Sequence, residues 1–275
     1  VHLLNAPLLP RDCIAWLIKS YFILLKFLPR SNHQVIVFYQ TSLSRLQIKH
    51  TSTFMNNQLP TVLLPLACFP NIEYFSWLMH APEATIEKNE TYPKQTCRNR
   101  YCIAAATGPL TLTVPVIKPD GNRTQVSGVL TEQNKNWQRT HWRAIESAYN
   151  KSPFFLYYRD DFEALFNNPP ELLMNFNLKI INLCLRLLKI KPAYKLSETF
   201  IKCPEDTLDL RHKIMPKQQV EKLFSITNFA PYIQVFADRQ EFTPNLSILD
   251  LLFNLGPASV DYLQKHPPVN QQKEI

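Results

Sequence analysis

Thr61-Val62-Leu63-Leu64-Pro65-Leu66-Ala67-Cys68-Phe69-Pro70-Asn71-Ile72-Glu73-Tyr74-Phe75-Ser76-Trp77-Leu78-Met79-His80, followed three residues later by Ala84-Thr85-Ile86-Glu87, decides the fold class. Thr61 to Ala67 is a short apolar run rich in Val and Leu, broken by Pro65 and closed by Phe69-Pro70, which reads as a buried strand entering a loop. Ile72, Phe75, Leu78 and Met79 then recur at helical spacing behind Asn71, a good N-cap, so a helix is expected over 71–80. Ala84 to Glu87 reads as a second strand. Strand, loop, helix, strand is the start of an α/β unit, in which ligands lie at the carboxyl end of the strand. The expectation is an α/β single domain with a small mixed sheet flanked by helices and a helix-rich C-terminal half.

Working outward, the densest polar stretch is Tyr92 to Tyr101. If helical, it stacks Lys94 on Arg98 at i, i+4, a like-charge pair that an anion would neutralise and that water could equally solvate. Leu110, Leu112, Val114 and Val116 alternate with Thr111, Thr113 and Pro115, a half-buried strand whose proline argues for an edge. Asp120-Gly121 and a strand near 125–130 would complete a hairpin or a wider excursion. From Asn136 to Tyr149 the pattern is helical, with Trp137, His141 and Ile145 on one face; His141 is either a satisfied core residue or a general acid/base. The aromatic run Phe154, Phe155, Tyr157, Tyr158 follows, and 172–188 is an amphipathic core helix.

Pro244 to Pro257 has a capable N-cap, an apolar body and a Gly-Pro stop, so it should form a buried helix. Ser247, Asp250 and Asn254 nevertheless make one polar seam on it. A carboxylate in apolar surroundings needs a partner; the stretch Lys94 to Arg100 could supply a cation, or Asp250 could simply cap or staple a loop.

Composition removes several classes of function. The 275 residues are 45% hydrophobic and 19% charged, enough for a core, but contain four glycines, Gly108, Gly121, Gly128 and Gly256, all scattered. Glycine-rich phosphate cradles are thereby excluded, and neither a GxSxG elbow nor an HExxH helix is present. The six cysteines show no zinc spacing, so no metal or other cofactor is expected, and reduced thiols without an export signal point to the cytoplasm. Of the formal +8, residues 1–54 hold +5: Arg11, Lys19, Lys26, Arg30, Arg45 and Lys49 stand against Asp12 alone. That leaves too little basic surface for a nucleic-acid partner. Lys19 and Lys26 divide the apolar stretch of that segment too finely for a transmembrane span. Residues 1–54 read as a disordered leader or an over-extended reading frame with the start at Met55, 55–264 as the folded domain, and 265–275 as a flexible tail.

Together these residues resemble the WbqC-like protein family. The resemblance rests on Leu64-Pro65 with Phe69-Pro70 and Glu73-Tyr74-Phe75, on Tyr92-x-Lys94-x-x-x-Arg98-Asn99-Arg100, and on Leu112-Thr113-Val114-Pro115-Val116. It continues through Trp137-Gln138-Arg139-x-His141-Trp142, Ala148-Tyr149-x-x-Ser152-Pro153-Phe154-Phe155, and Phe242-x-Pro244 to Pro257, in the same order throughout. Two departures are Cys68, where an aromatic is common, and the stretch Cys203 to Gln219, which stands where a glycine-containing insert is common.

The resemblance implies a cytoplasmic transferase in bacterial surface-polysaccharide (O-antigen, lipopolysaccharide) or specialised-metabolite biosynthesis, acting on an anionic activated sugar or acyl substrate. On that reading His141 and Asp250 carry catalysis, and Lys94, Arg98, Asn99, Arg100, Trp137, Tyr149, Ser247 and Asn254 contact the small-molecule substrate. The alternative is a non-catalytic binding or scaffold protein of a biosynthetic complex, with the aromatic run 154–158 as the surface its partners use.

Overall fold

The computed structural model describes residues 59–202, 204–214 and 229–268. The expected leader, positions 203 and 215–219 of the stretch noted as a departure, and positions 269–275 of the expected tail lie outside them.

Strand β1 (Thr61–Pro65) buries Val62, Leu63 and Leu64 completely. It has no polar alternation because both its faces are covered, as is usual for a parallel strand. The next element, α1 (Ile72–His80), begins where Asn71 Oδ1 accepts from Tyr74 N–H at 3.1 Å. Its return strand β2 (Ala84–Glu87) lies parallel to β1, with Leu63 opposite Thr85. On the other side of β1 runs β8 (Thr207–Asp209), and β7 (Tyr194–Leu196) pairs outside β2, so the sheet order is β7-β2-β1-β8, parallel throughout. From β1 the chain moves one way to β2 and β7, and β8 is added on the opposite side. The order therefore reverses between β1 and β8, and a crevice outside the carboxyl ends of such a pair is where α/β folds hold ligands.

Antiparallel pairing occurs in two separate ribbons, β3 (Arg100–Ile103) with β4 (Leu110–Thr113) and β5 (Val116–Ile117) with β6 (Leu130–Thr131). The single strand expected over 110–116 is thus two strands. Pro115 has no N–H to donate, and the backbone changes partners there: Val114 N–H donates to Asn99 O while Pro115 O accepts from Glu132 N–H. Near 125, Gln125 bridges Thr91, and Val126–Gly128 forms a 3-10 turn before β6. The helix tested for Lys94 and Arg98 is a series of turns, with Gln95 at φ 61°, a left-handed conformation that an α-helix cannot contain.

Helices α2 (Lys135–Tyr149), α3 (Phe155–Asn167) and α4 (Leu173–Leu188) follow, then α5 (Ile248–Leu255) and α6 (Ser259–Lys265). The α/β class with a helix-rich C-terminal half therefore holds. Gly256 ends α5 at φ 53°, and a Cβ there would lie 2.4 Å from the Phe154 ring, so both conformation and space demand glycine. Phe69 sits among Tyr101, Phe166 and Phe176, at ring-centroid distances of 4.6, 5.7 and 6.3 Å. Asn177, buried on α4, donates from Nδ2 to both Leu66 O and Arg98 O, tying the loop after β1 to the polar stretch. No helix among the described residues is long and apolar enough to cross a membrane.

Candidate functional site

The loop after β1 is fixed from two sides. Cys68 N–H donates to Cys97 O at 2.8 Å, while Ile248 N–H donates to Pro70 O and Ile72 N–H to Leu246 O. Across the same seam Asn245 Oδ1 accepts from Glu73 N–H, Asn245 Nδ2 donates to Glu73 Oε2, and Ser247 N–H donates to Cys102 O. Three segments far apart in sequence, 68–73, 97–102 and 245–248, therefore meet at the carboxyl end of β1. Within this junction Phe69 adopts φ 39°. A bulky residue there carries roughly 1–3 kcal/mol of backbone strain, a cost characteristic of functional loops.

A small cleft of about 10 Å³ opens at this junction, lined by Phe69, Asn71, Arg100, Tyr101, Ile214 and Ser247 among others. Ile214 arrives from just beyond β8, so the cleft lies at the β1/β8 reversal. Among the described residues, the side-chain polar atoms that are buried without a partner include Asn71 Nδ2 and Arg100 Nε. Asn71 and Arg100 both line this cleft, and both unpartnered atoms are donors. A buried donor left unpaired costs about 1–3 kcal/mol, so the cleft is chemically incomplete as it stands, and an oxygen anion would complete it.

The remaining expected site residues divide by location. Arg100 and Ser247 come together in the cleft, with Ser247 also capping α5 by accepting from Leu249 N–H. Lys94 is exposed on its turn. Arg98 is fully buried and paired with Glu90, donating from Nε at 2.8 Å and also from Nη2, so it faces an internal carboxylate rather than a substrate. Asn99 Nδ2 donates to Val114 O, Trp137 Nε1 donates to Glu132 O, and Tyr149 OH accepts from Ala104 N–H. Asn254 Nδ2 donates to the carbonyl of Asp250.

His141 is buried, with Nδ1 2.9 Å from Tyr101 OH and Nε2 3.2 Å from Thr113 O. A carbonyl can only accept, so Nε2 carries the proton and Nδ1 accepts from the tyrosine. Burial lowers the pKa of His141 to about 4, keeping the ring neutral. Its link to the cleft runs through Tyr101, which lines it.

Asp250 is completely buried, and its partners differ from the cation considered for it. Oδ2 accepts from Tyr232 OH at 2.5 Å and from Gln234 Nε2 at 2.8 Å, both neutral. Burial raises its pKa, opposed by donors that include Tyr232, Gln234 and Tyr149. Of the basic stretch, Arg98 is taken by Glu90, and neither Lys94 nor Arg100 forms an ion pair with Asp250; the buried Arg211 binds Asp209 and approaches Glu87. The Cys68 and Cys97 thiols beside the cleft are protonated, since burial raises both and carries Cys97 to about 11. Among the described residues no cluster of His, Cys, Asp or Glu could hold a metal ion.

A model of the WbqC-like protein family matches residues 67–234. The chain belongs to the WbqC-like protein family. The match takes in the loop after β1 and the stretch that carries Arg98 and Arg100. A curated relative, the "Uncharacterized protein Rv1507c" of Mycobacterium tuberculosis (strain ATCC 25618 / H37Rv), is 23% identical over 215 residues, covering 70% of this chain and 91% of its own. No solved structure matches.

Sequence reasoning about this WbqC-like chain passed over Asn71, Tyr101, Glu73 and Asn245 as site residues. The capping role of Asn71 uses its oxygen and leaves its amide nitrogen unassigned. The signal was present in part, because each of the four lies inside or beside a stretch that resembles the family.

Proposed function

We propose that this WbqC-like protein is a transferase acting on an anionic activated sugar or acyl substrate in bacterial surface-polysaccharide or specialised-metabolite biosynthesis. The anionic group of the substrate binds at the carboxyl end of β1. The observation that carries the reading is the pair of buried donors, Asn71 Nδ2 and Arg100 Nε, that share one cleft without partners. A cleft of 10 Å³ takes a terminal oxygen of a phosphate or carboxylate and leaves the body of the substrate outside. Tyr101 lines the cleft with its ring, its hydroxyl proton being given to His141 Nδ1. His141, as a neutral acceptor, holds the hydroxyl in place, so in this reading it is a positioning residue. Lys94, exposed at the same stretch, adds attraction at longer range. Side chains must do this work, because the chain has no glycine-rich backbone cradle.

The test is a thermal-shift and calorimetric screen against nucleotide sugars, acyl thioesters and pyrophosphate, repeated with Arg100→Met. A ligand that stabilises the wild type should lose at least ten-fold in affinity in the variant, while the unliganded melting temperature moves little. Equal affinity in wild type and variant would sink the proposal.

One observation favours the non-catalytic reading. Leu156 and Tyr157, in the first turn of α3, are 79% and 78% exposed, while Phe155 beside them is buried. Of the aromatic run, then, Tyr157 is the member available to a partner, together with Leu156. Tyr157→Glu should leave ligand binding intact under the transferase reading and should abolish complex formation under the scaffold reading.

A further inference from the structure

A second cavity lies apart from the cleft and has the opposite chemistry. It measures about 340 Å³, within the range of small-molecule sites, and its walls come from Ala104, Pro109 and the segment 231–243. Tyr232, Phe236 and Phe242 supply aromatic rings, with Tyr232 and Phe242 edge to face at 5.1 Å. Cys102 lines the cleft and Ala104 lines the cavity, so the two sites share one stretch of chain and are separated there by roughly 7 Å of extended backbone.

Most polar groups in these walls are committed within the protein. Tyr232 donates to Asp250; Gln234 donates to Asp250 Oδ2 and Thr243 O and accepts from Thr243 N–H; Gln240 donates from Nε2 to Ala105 O. What remains is the exposed carboxylate of Glu241, which has no ion-pair partner among the described residues. The neighbouring charges Asp238 and Arg239 pair with each other. Aromatic faces and a carboxylate both favour a cation or a hydrogen-bond donor and disfavour an anion.

We propose that this cavity is a second binding site, for a small organic amine whose apolar body lies against Tyr232, Phe236 and Phe242 and whose ammonium meets Glu241. It does not depend on the transferase reading.

Calorimetry on the full chain with benzylamine, benzyl alcohol and benzoate, three probes of one shape and different charge, tests it. Benzylamine should bind about five-fold more tightly than benzyl alcohol, and benzoate most weakly. Glu241→Gln should bring benzylamine to the level of the alcohol. Ala237→Trp, at an exposed wall position, should fill the cavity and weaken all three. Alcohol or benzoate binding as well as the amine would overturn the proposal, as would silence toward benzylamine at millimolar concentration or binding unchanged by Ala237→Trp. Pyrophosphate titrated into the same samples reports on Arg100 separately, so either site can fail while the other stands.

Discussion

Arg98 and Arg100 leave one run of turns two residues apart, the first into a buried ion pair with Glu90 and the second into the lining of a cleft where its Nε meets nothing. Around Arg98 the fold has built a network that leaves Arg98 Nη1 alone without a partner on that guanidinium: Arg98 pairs with Glu90 and Arg211 O, Arg211 with Asp209 and near Glu87, and Glu87 with Ser197. Around Arg100 it leaves two donors unanswered. The same side chain, set two positions along the same stretch, is structural in one place and available in the other. Burial and pairing separate the two, and residue type does not.

The comparison can be broken most forcefully at Glu90. Removing one member of a buried ion pair strands the other charge, so Glu90→Ala should cost about 3–5 kcal/mol in urea unfolding. A loss below about 1 kcal/mol would mean that Arg98 is not structural and that the contrast with Arg100 fails.

A smaller effect belongs to His141. Its folded pKa of about 4 lies below the ordinary histidine value, so the stabilisation it gives is complete above about pH 6.5 and is lost as the pH falls toward 4. Between pH 7.5 and 4.5 that loss amounts to about 2–3 kcal/mol, the cost of protonating a buried ring. In His141→Asn this part of the acid sensitivity should vanish, leaving a shallower pH profile in urea titrations. An unchanged profile would show the imidazole to be solvated and to belong with the open side of the comparison.

The smallest change in stability, and the sharpest discrimination, comes from Asn71→Asp. The substitution keeps the oxygen that caps α1 and adds negative charge near its N-terminus, so stability should shift by no more than about 1 kcal/mol. It replaces the orphaned amide donor with an acceptor, so pyrophosphate binding should disappear. Binding that survives would move the anion away from Asn71.

The strand-helix-strand unit was legible because β1 and α1 advertise themselves locally: an apolar run with no polar phase, a four-position apolar stripe and an asparagine cap. The partners of buried charges were not legible. Nothing near Asp250 in sequence announces Tyr232 and Gln234, and nothing near Arg98 distinguishes it from Lys94 or Arg100, because pairing even 8 to 18 residues apart is settled by the fold. Arg100 was among the residues expected to bind an anion. Asn71 was not, since a capping role accounts for only half of an amide.

The double hydrogen bond from Asn177 carries a dynamic consequence. A core helix grips Leu66 and Arg98 at once, so the rim of the cleft cannot loosen without disturbing α4. Amide hydrogens of the rim, such as that of Cys68, should then exchange with solvent no faster than those in the middle of α4. The cleft thus belongs to the same cooperative unit as the core, and its two idle donors are held ready rather than recruited by a moving loop.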